Sequence, residues 1–204
     1  MKLTWHGHSC FTLESMEGTI IFDPYKNNTV PGLAPLNLNG DILLCSHGHD
    51  DHSGEEVVSL SGKTPNIKIE KIETYHDDKK GGLRGKNIIH IVNVEGMKAV
   101  HFGDLGCELT EEQIEKLKNC DVAMICVGGF YTINAEIAYK IVEKIKPRIV
   151  VPMHYRSETF GYDVIGTLEE YLKHCDNIIK YDSNNIEITK DTEEQTAVLK
   201  YMGY

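Results

Sequence analysis

The chain has 204 residues, of which 41% are hydrophobic and 25% are charged, as is typical of a soluble globular protein with one sizeable core. Its formal net charge of −10 argues against a general nucleic-acid-binding protein, because such proteins carry a basic surface. No apolar run is long enough for a signal peptide or a transmembrane helix, and the six cysteines show no C-x-x-C spacing. We therefore expect one cytoplasmic domain over residues 1–204, with reduced thiols.

Short strands dominate the first quarter of the chain. The expected strands cover residues 2–5, 10–14 and 19–23. A loop rich in glycine, proline and asparagine then runs to about Gly40, and the apolar run 42–45 is typical of a short strand buried on both faces. Ser53, with Glu56 three residues later, has the capping-box pattern and predicts the start of a helix.

The rest of the chain mixes strands with single helices. The expected strands cover residues 67–75, 87–94, 98–102, 121–127, 148–152, 185–189 and 196–201, the last two as a hairpin. Thr110, Asn134 and Thr167 are each placed to cap the start of a helix. Strand-rich stretches interrupted by single helices predict two sheets with helices outside them.

The most distinctive motif is H-x-H-x-D-H over residues 47–52, directly after the apolar run 42–45. Its donors are His47, His49, Asp51 and His52. Imidazoles and a carboxylate packed this tightly can serve two neighbouring metal ions, and a pair of ions about 3.5–4 Å apart generates hydroxide at neutral pH. An accidental surface cluster explains the motif less well, because it would mass polar groups beside a buried strand without partners.

Three further donors follow apolar runs at the ends of later predicted strands. They are His76, Asp104 and His154. Each alone could equally be a turn residue, but together they predict two sites at one edge of the fold. The predicted sets are His47, His49 and His76 for one ion, Asp51, His52 and His154 for the other, and Asp104 as the bridge. Donors of this kind without thiolate favour two Zn²⁺ ions, with Mn²⁺ or iron as alternatives.

These motifs resemble those of the metallo-β-lactamase superfamily. The runs 5–11 (WHGHSCF), 22–24 (FDP) and 127–132 (VGGFYT) further resemble its small prokaryotic Zn-dependent hydrolases, related to L-ascorbate-6-phosphate lactonase and to the N-acylphosphatidylethanolamine phospholipase D type. The resemblance implies an α+β fold, an αββα four-layer sandwich with the metal site at one edge of the two sheets. The chain is shorter than the lactonase and the phospholipase. It has no tRNA-gripping arm like that of RNase Z enzymes, and His49 stands where the flavodiiron branch usually carries Glu.

We therefore expect a binuclear zinc hydrolase in which a metal-bound hydroxide cleaves an ester, lactone or phosphodiester bond of a small substrate. Asp51 would orient the nucleophile and shuttle its proton, with His8 and Tyr131 as further catalytic candidates. The alternative is a metal-bearing protein that binds a metabolite or nucleotide without turning it over. We expect no nucleic-acid partner and no membrane segment, and the pattern leaves a homo-oligomer open.

A basic, glycine-rich stretch over residues 77–86 (DDKKGGLRGK) follows His76 directly. Its Lys80 and Arg84, together with Arg156 two residues after His154, would favour an anionic substrate such as a phosphate ester. Gly129 would let the backbone approach that substrate closely. The alternative for this stretch is a solvated, flexible hairpin loop.

Overall fold

The computed structural model describes residues 1–203, which form fourteen strands, three α-helices and one 3-10 turn. The strands are β1 (Lys2–Gly7), β2 (Cys10–Ser15), β3 (Gly18–Phe22), β4 (Leu38–Gly40), β5 (Ile42–Leu44), β6 (Val58–Leu60), β7 (Lys68–Tyr75), β8 (Lys86–Val94), β9 (Met97–His101), β10 (Val122–Cys126), β11 (Ile149–Met153), β12 (Ile178–Lys180), β13 (Asn185–Glu187) and β14 (Gln195–Val198). The helices are α1 (Glu111–Leu117), α2 (Ala135–Ile145) and α3 (Leu168–Leu172). Within residues 1–203, none of them combines the length and apolar character that crossing a membrane requires.

Two sheets carry the fold. One has five strands in the order β13-β1-β2-β3-β5, and the other has seven in the order β12-β14-β11-β10-β9-β8-β7. Side chains alternate between the two faces of a strand. Phe11, Ile20 and Phe22 of the smaller sheet therefore share the main core with the larger sheet, whereas Cys10 and Ile21 point to a second cluster behind it.

The outer layers differ between the two sheets. Buried side chains of all three helices, such as Ile114, Ala138 and Tyr171, belong to the main core with the seven-stranded sheet. The second cluster, behind the smaller sheet, is filled by Tyr25 and Val30 from the long loop before β4, by β4 itself and by the 3-10 turn. The smaller sheet is thus backed mainly by loop segments.

Strand direction brings the predicted donors to one edge. In the larger sheet, β7 and β9 are each antiparallel to β8, and β9, β10 and β11 are mutually parallel, so all four end on the same side. In the smaller sheet, β1 and β3 are each antiparallel to β2, and β5 is parallel to β3. The residues that follow β1, β3 and β5 therefore also share one end of their sheet.

Two helix starts form as the sequence predicts. Thr110 accepts a hydrogen bond from the Gln113 backbone, and the Gln113 side chain accepts one from the Thr110 backbone, which is a complete capping box at the start of α1. Asn134 caps α2 by accepting a bond from Ile137 N–H.

The helix predicted from Ser53 is wrong. Only a 3-10 turn over Glu55–Val57 follows. The Ser53 hydroxyl does not cap this turn and instead donates to the carbonyl of His49. Gly54 N–H is bound to the carbonyl of Pro24, and β6 begins at Val58. Tertiary hydrogen bonding here outweighs the local capping pattern.

Two further strand predictions are corrected. The expected closing hairpin is absent from residues 1–203, because β13 pairs with β1 of the smaller sheet and β14 lies between β11 and β12 of the larger one. β5 lies at an edge of its sheet, so Ile42 and Leu43 are half-buried and not covered on both faces. Short strands β4, β6 and β12 were not predicted.

Candidate metal centre

Three of the predicted donors contact the carboxylate of a fourth, Asp104. This carboxylate lies 3.2 Å from His52 Nε2, 3.2 Å from His76 Nε2 and 3.1 Å from His154 Nε2. Asp104 itself is buried, and its backbone N–H donates to Asn87 Oδ1 at 2.9 Å. One carboxylate thus faces three imidazoles contributed by three separate segments of the chain.

The donors other than Asp104 fall into two groups. The first group is His47, His49 and His76, and the second is Asp51, His52 and His154 with His8 added. In each group, one donor atom per residue lies within 4.8 Å of all the others. These groups match the two sets that the sequence predicts, and His8 comes from the end of β1.

A buried aspartate at the end of β3 fixes two of the imidazoles. Asp23 accepts hydrogen bonds from His52 Nδ1 at 2.7 Å and from the Ser46 backbone and hydroxyl at 2.6 and 2.5 Å. The Ser46 hydroxyl lies 2.9 Å from His47 Nδ1 and accepts from it. With Nδ1 bound in this way, the Nε2 atoms of His47 and His52 are the ones turned toward the candidate site.

Two glycines allow the backbone to pack against the donors. A Cβ atom on Gly106 would lie 2.3 Å from the backbone carbon of His76, and one on Gly128 would lie 2.2 Å from the carbonyl oxygen of His154. His76 is held further by its Nδ1, which donates to the Tyr131 carbonyl at 3.1 Å. Any larger residue at either glycine would displace a candidate donor.

The donor atoms fit a metal site because they are buried without hydrogen bonds. Within residues 1–203, His47 Nε2, His52 Nε2, both nitrogens of His8 and His154, and Asp104 Oδ1 make none. Buried polar atoms normally have such partners, and leaving one unsatisfied costs about 1–3 kcal/mol. Imidazole nitrogens and carboxylate oxygens turned toward one another without hydrogen bonds are what a bound cation would satisfy.

The electrostatics agree with a cation between these groups. Burial lowers the pKa of His47 to about 3 and that of His8 to about 4, so both are neutral at pH 7, which is the form that binds metal. Burial would also lower the pKa of His52, but Asp104, Asp51 and Asp23 outweigh it and raise that pKa well above its usual value. Three carboxylates therefore require positive charge here, which a metal ion would supply in place of the proton.

A cavity of about 330 Å³ opens onto the donors. It is lined by His49, Asp51, His76, Arg84, Asp104, Tyr131 and Tyr162. Tyr131 and Arg84 are therefore placed where a substrate would lie. Lys80 is exposed, Gly129 serves as a left-handed turn residue (φ 66°), and Arg156 donates through Nε to the Ile165 carbonyl; these three are not among the lining residues.

Sequence reasoning missed three residues of the site. Tyr162 lies in the loop after β11 with its hydroxyl 3.3 Å from Asp51 Oδ2, and no motif marks it. Asn87 holds the Asp104 backbone from the start of β8, which only strand pairing reveals. Ser46 was detectable, because a hydroxyl directly before a predicted ligand often orients it.

The Beta-lactamase superfamily domain model matches residues 2–154, three quarters of the chain and all seven predicted donors. A UPF0173 metal-dependent hydrolase of Thermoplasma acidophilum is 29% identical over 85% of this chain and 89% of its own length. Another, from Methanosarcina mazei, is 30% identical over 81% of this chain and 86% of its own length.

Among solved structures, one from Thermotoga maritima, described as a Zn-dependent hydrolase of the metallo-beta-lactamase superfamily, is 31% identical to this chain. The alignment covers 97% of both chains with a TM-score of 0.78.

Proposed function

The chain belongs to the metallo-β-lactamase superfamily and is a metal-dependent hydrolase, and on that premise we propose that two ions, with zinc as the native metal, serve hydrolysis of an ester, lactone or phosphodiester bond. Membership confirms the resemblance inferred from the motifs and the predicted α+β sandwich. Because the chain is a hydrolase, the alternative function, a metal-bearing protein that binds a metabolite or nucleotide without turning it over, does not apply. The proposal concerns the number and identity of the ions, the roles of the residues and the bond that is cleaved.

One observation carries the proposal of two ions: the Asp104 carboxylate lies between two groups of donors. Its Oδ2 is 3.2 Å from His76 of the first group and 3.1 Å from His154 of the second. The first ion would be held by His47, His49 and His76, the second by Asp51, His52 and His154, and Asp104 would bridge them. The relative from Thermotoga maritima is described as Zn-dependent, which supports zinc.

When bound, such ions would lower the pKa of a coordinated water toward neutrality and polarise the substrate oxygen that gains charge. The protein's own contribution begins with Asp51, whose Oδ2 is 3.4 Å from His8 Nε2 and 3.3 Å from the Tyr162 hydroxyl. The Tyr162 hydroxyl donates to this carboxylate, which lies at the cavity wall, where it can orient the attacking water and take its proton.

Tyr162 can act as a donor throughout the reaction. Burial and the neighbouring Asp51 raise the pKa of Tyr162 above its usual value, so its hydroxyl keeps its proton at neutral pH. Tyr131 lies on the same wall, with the two rings 6.0 Å apart. We assign the Tyr131 hydroxyl to the substrate, whereas the Tyr162 hydroxyl donates to Asp51. The cavity volume of about 330 Å³, at the small end of ligand pockets, suits a small substrate.

Elemental analysis and a substrate panel test this proposal together. We expect two ions per chain and hydrolysis of at least one class among carboxylic esters, lactones and phosphodiesters. His49→Ala should lose the first ion and all activity, whereas His174→Ala, which removes an exposed imidazole stacked on Tyr139, should lose neither. Full metal content and full activity in His49→Ala would refute the ligand assignment.

A further inference from the structure

Arg84 is a cation on the wall of the candidate active-site cavity that the protein itself leaves without an anionic partner. Its guanidinium forms none of the ion pairs found among residues 1–203, and in that range only its backbone N–H takes part in a hydrogen bond. Its neighbours differ, since Lys79 pairs with Asp78 and Lys86 pairs with Glu73 on the exposed surface, and Lys80 is exposed and does not line the cavity. The side-chain donors of Arg84 are therefore available to a ligand.

The loop that carries Arg84 is held by Asp77. The buried carboxylate of Asp77 accepts four backbone N–H bonds, from Lys79, Gly81, Leu83 and Arg84, at 2.8, 2.9, 3.0 and 2.7 Å. The loop is thus an organised turn around one carboxylate, in place of the flexible hairpin considered as the alternative.

The same loop is tied to the candidate metal centre. His76 N–H donates to the Gly85 carbonyl at 3.1 Å, which closes the base of the loop at a candidate metal ligand. The Arg84 guanidinium lies 5.3 Å from the centre of the Tyr131 ring, and the Tyr131 carbonyl accepts from His76 Nδ1. The Arg84 guanidinium is therefore next to the Tyr131 ring, and the backbone of Tyr131 is bound to the His76 imidazole. These contacts position Arg84 relative to the candidate metal ligand.

We infer that Arg84 forms an oxyanion subsite, which binds a carboxylate or phosphate group of the substrate beside the metal centre. The inference rests on the proposed function and narrows its substrate class to anions. A guanidinium presents its donors in a planar fork that matches these groups in a bidentate manner.

Binding of inorganic phosphate to the zinc-loaded protein, measured by calorimetry, tests the subsite without requiring turnover. Arg84→Gln should weaken phosphate binding about tenfold or more, because a charged hydrogen-bonding partner is lost. Arg84→Lys should recover only part of the affinity. Lys79→Gln, which removes one charge from an exposed position of the same loop, should change it by less than about twofold.

Metal content and thermal unfolding of each variant separate a lost subsite from lost ions or a lost fold. Equal phosphate affinity in Arg84→Gln and the parent protein, or an equal loss in Lys79→Gln, would overturn the subsite. Arg84-dependent phosphate binding by a protein that hydrolyses nothing in the substrate panel would instead contradict the proposed function and leave the subsite standing.

Discussion

Asp23 shows how a single residue outside both donor groups can determine their geometry. Its Oδ2 atom accepts from His52 Nδ1 directly and from the Ser46 hydroxyl, which in turn accepts from His47 Nδ1. One imidazole of each candidate ion therefore depends on it. The relay through Ser46 depends on the fold, because β3 and β5 must pair before the two residues meet.

We predict that Asp23→Asn lowers zinc affinity by about 10–100-fold, the usual range for loss of a group that orients metal ligands. An amide cannot accept from His52 with the strength of a carboxylate. Competition with a chelator measures the change. Asp41→Asn is the matched control. Asp41 also accepts a backbone N–H, from Thr19, but it belongs to neither group of candidate metal donors. Unchanged zinc affinity in Asp23→Asn would contradict the orienting role.

A second prediction at the residue scale concerns His90, whose pKa burial lowers from 6.5 to about 4. The unfolded chain protonates this histidine more readily than the folded chain does. Stability is therefore full above pH 6.5 and falls as the pH drops from 6.5 toward 4, and this histidine alone removes about 2 kcal/mol by pH 5. Urea unfolding at pH 7 and pH 5 should show that His90→Asn, which does not titrate, lacks this part of the loss. An identical pH dependence in the variant and the parent would refute it.

At the scale of elements, the ends of parallel strands explain both the success and the limits of sequence reasoning. β7, β9 and β11 carry His76, Asp104 and His154 at the same edge, so donors far apart in the chain were predictable from the apolar runs that precede them. Strand partners were not predictable, because side-chain alternation identifies a strand without naming its neighbour. β13 and β14 illustrate this, since each pairs in a different sheet and not with the other.

The turn after β10 provides the prediction at this scale. A Cβ on Gly128 would lie 2.2 Å from the His154 carbonyl oxygen, so Gly128→Ala must push the turn away from the end of β11. We expect a loss of about 1–3 kcal/mol in the free energy of unfolding and weaker binding of the second ion. Gly48→Ala is the control for stability, because a Cβ there meets no atom within 4 Å. Denaturant unfolding of both variants, and zinc titration of Gly128→Ala and the parent protein, measure these effects. Equal free energies of unfolding in Gly128→Ala and Gly48→Ala, or unchanged zinc binding in Gly128→Ala, would contradict the argument.

At the scale of the whole molecule, two sheets bring their ends to one rim. Asp23, His47 and His8 follow strands of the smaller sheet, and Asp104 and His154 follow strands of the larger one. Motif spacing predicted a set of donors that lie together in the structure, because His47, His76, Asp104 and His154 each follow an apolar run and His49, Asp51 and His52 share the motif of His47. Motif spacing could not predict the placement of Tyr162 or the loop held by Asp77. Both depend on how loops pack against the strand ends once the two sheets have formed. Cytoplasmic location remains a prediction from the sequence.

Diffraction from crystals of the zinc-loaded protein, recorded at the zinc absorption edge, tests the central claim most directly. The account predicts two anomalous peaks in the cavity, one against His47, His49 and His76 and the other against Asp51, His52 and His154, with Asp104 in contact with both. A map with no peak in this cavity, or with zinc bound only at surface residues elsewhere, would contradict it.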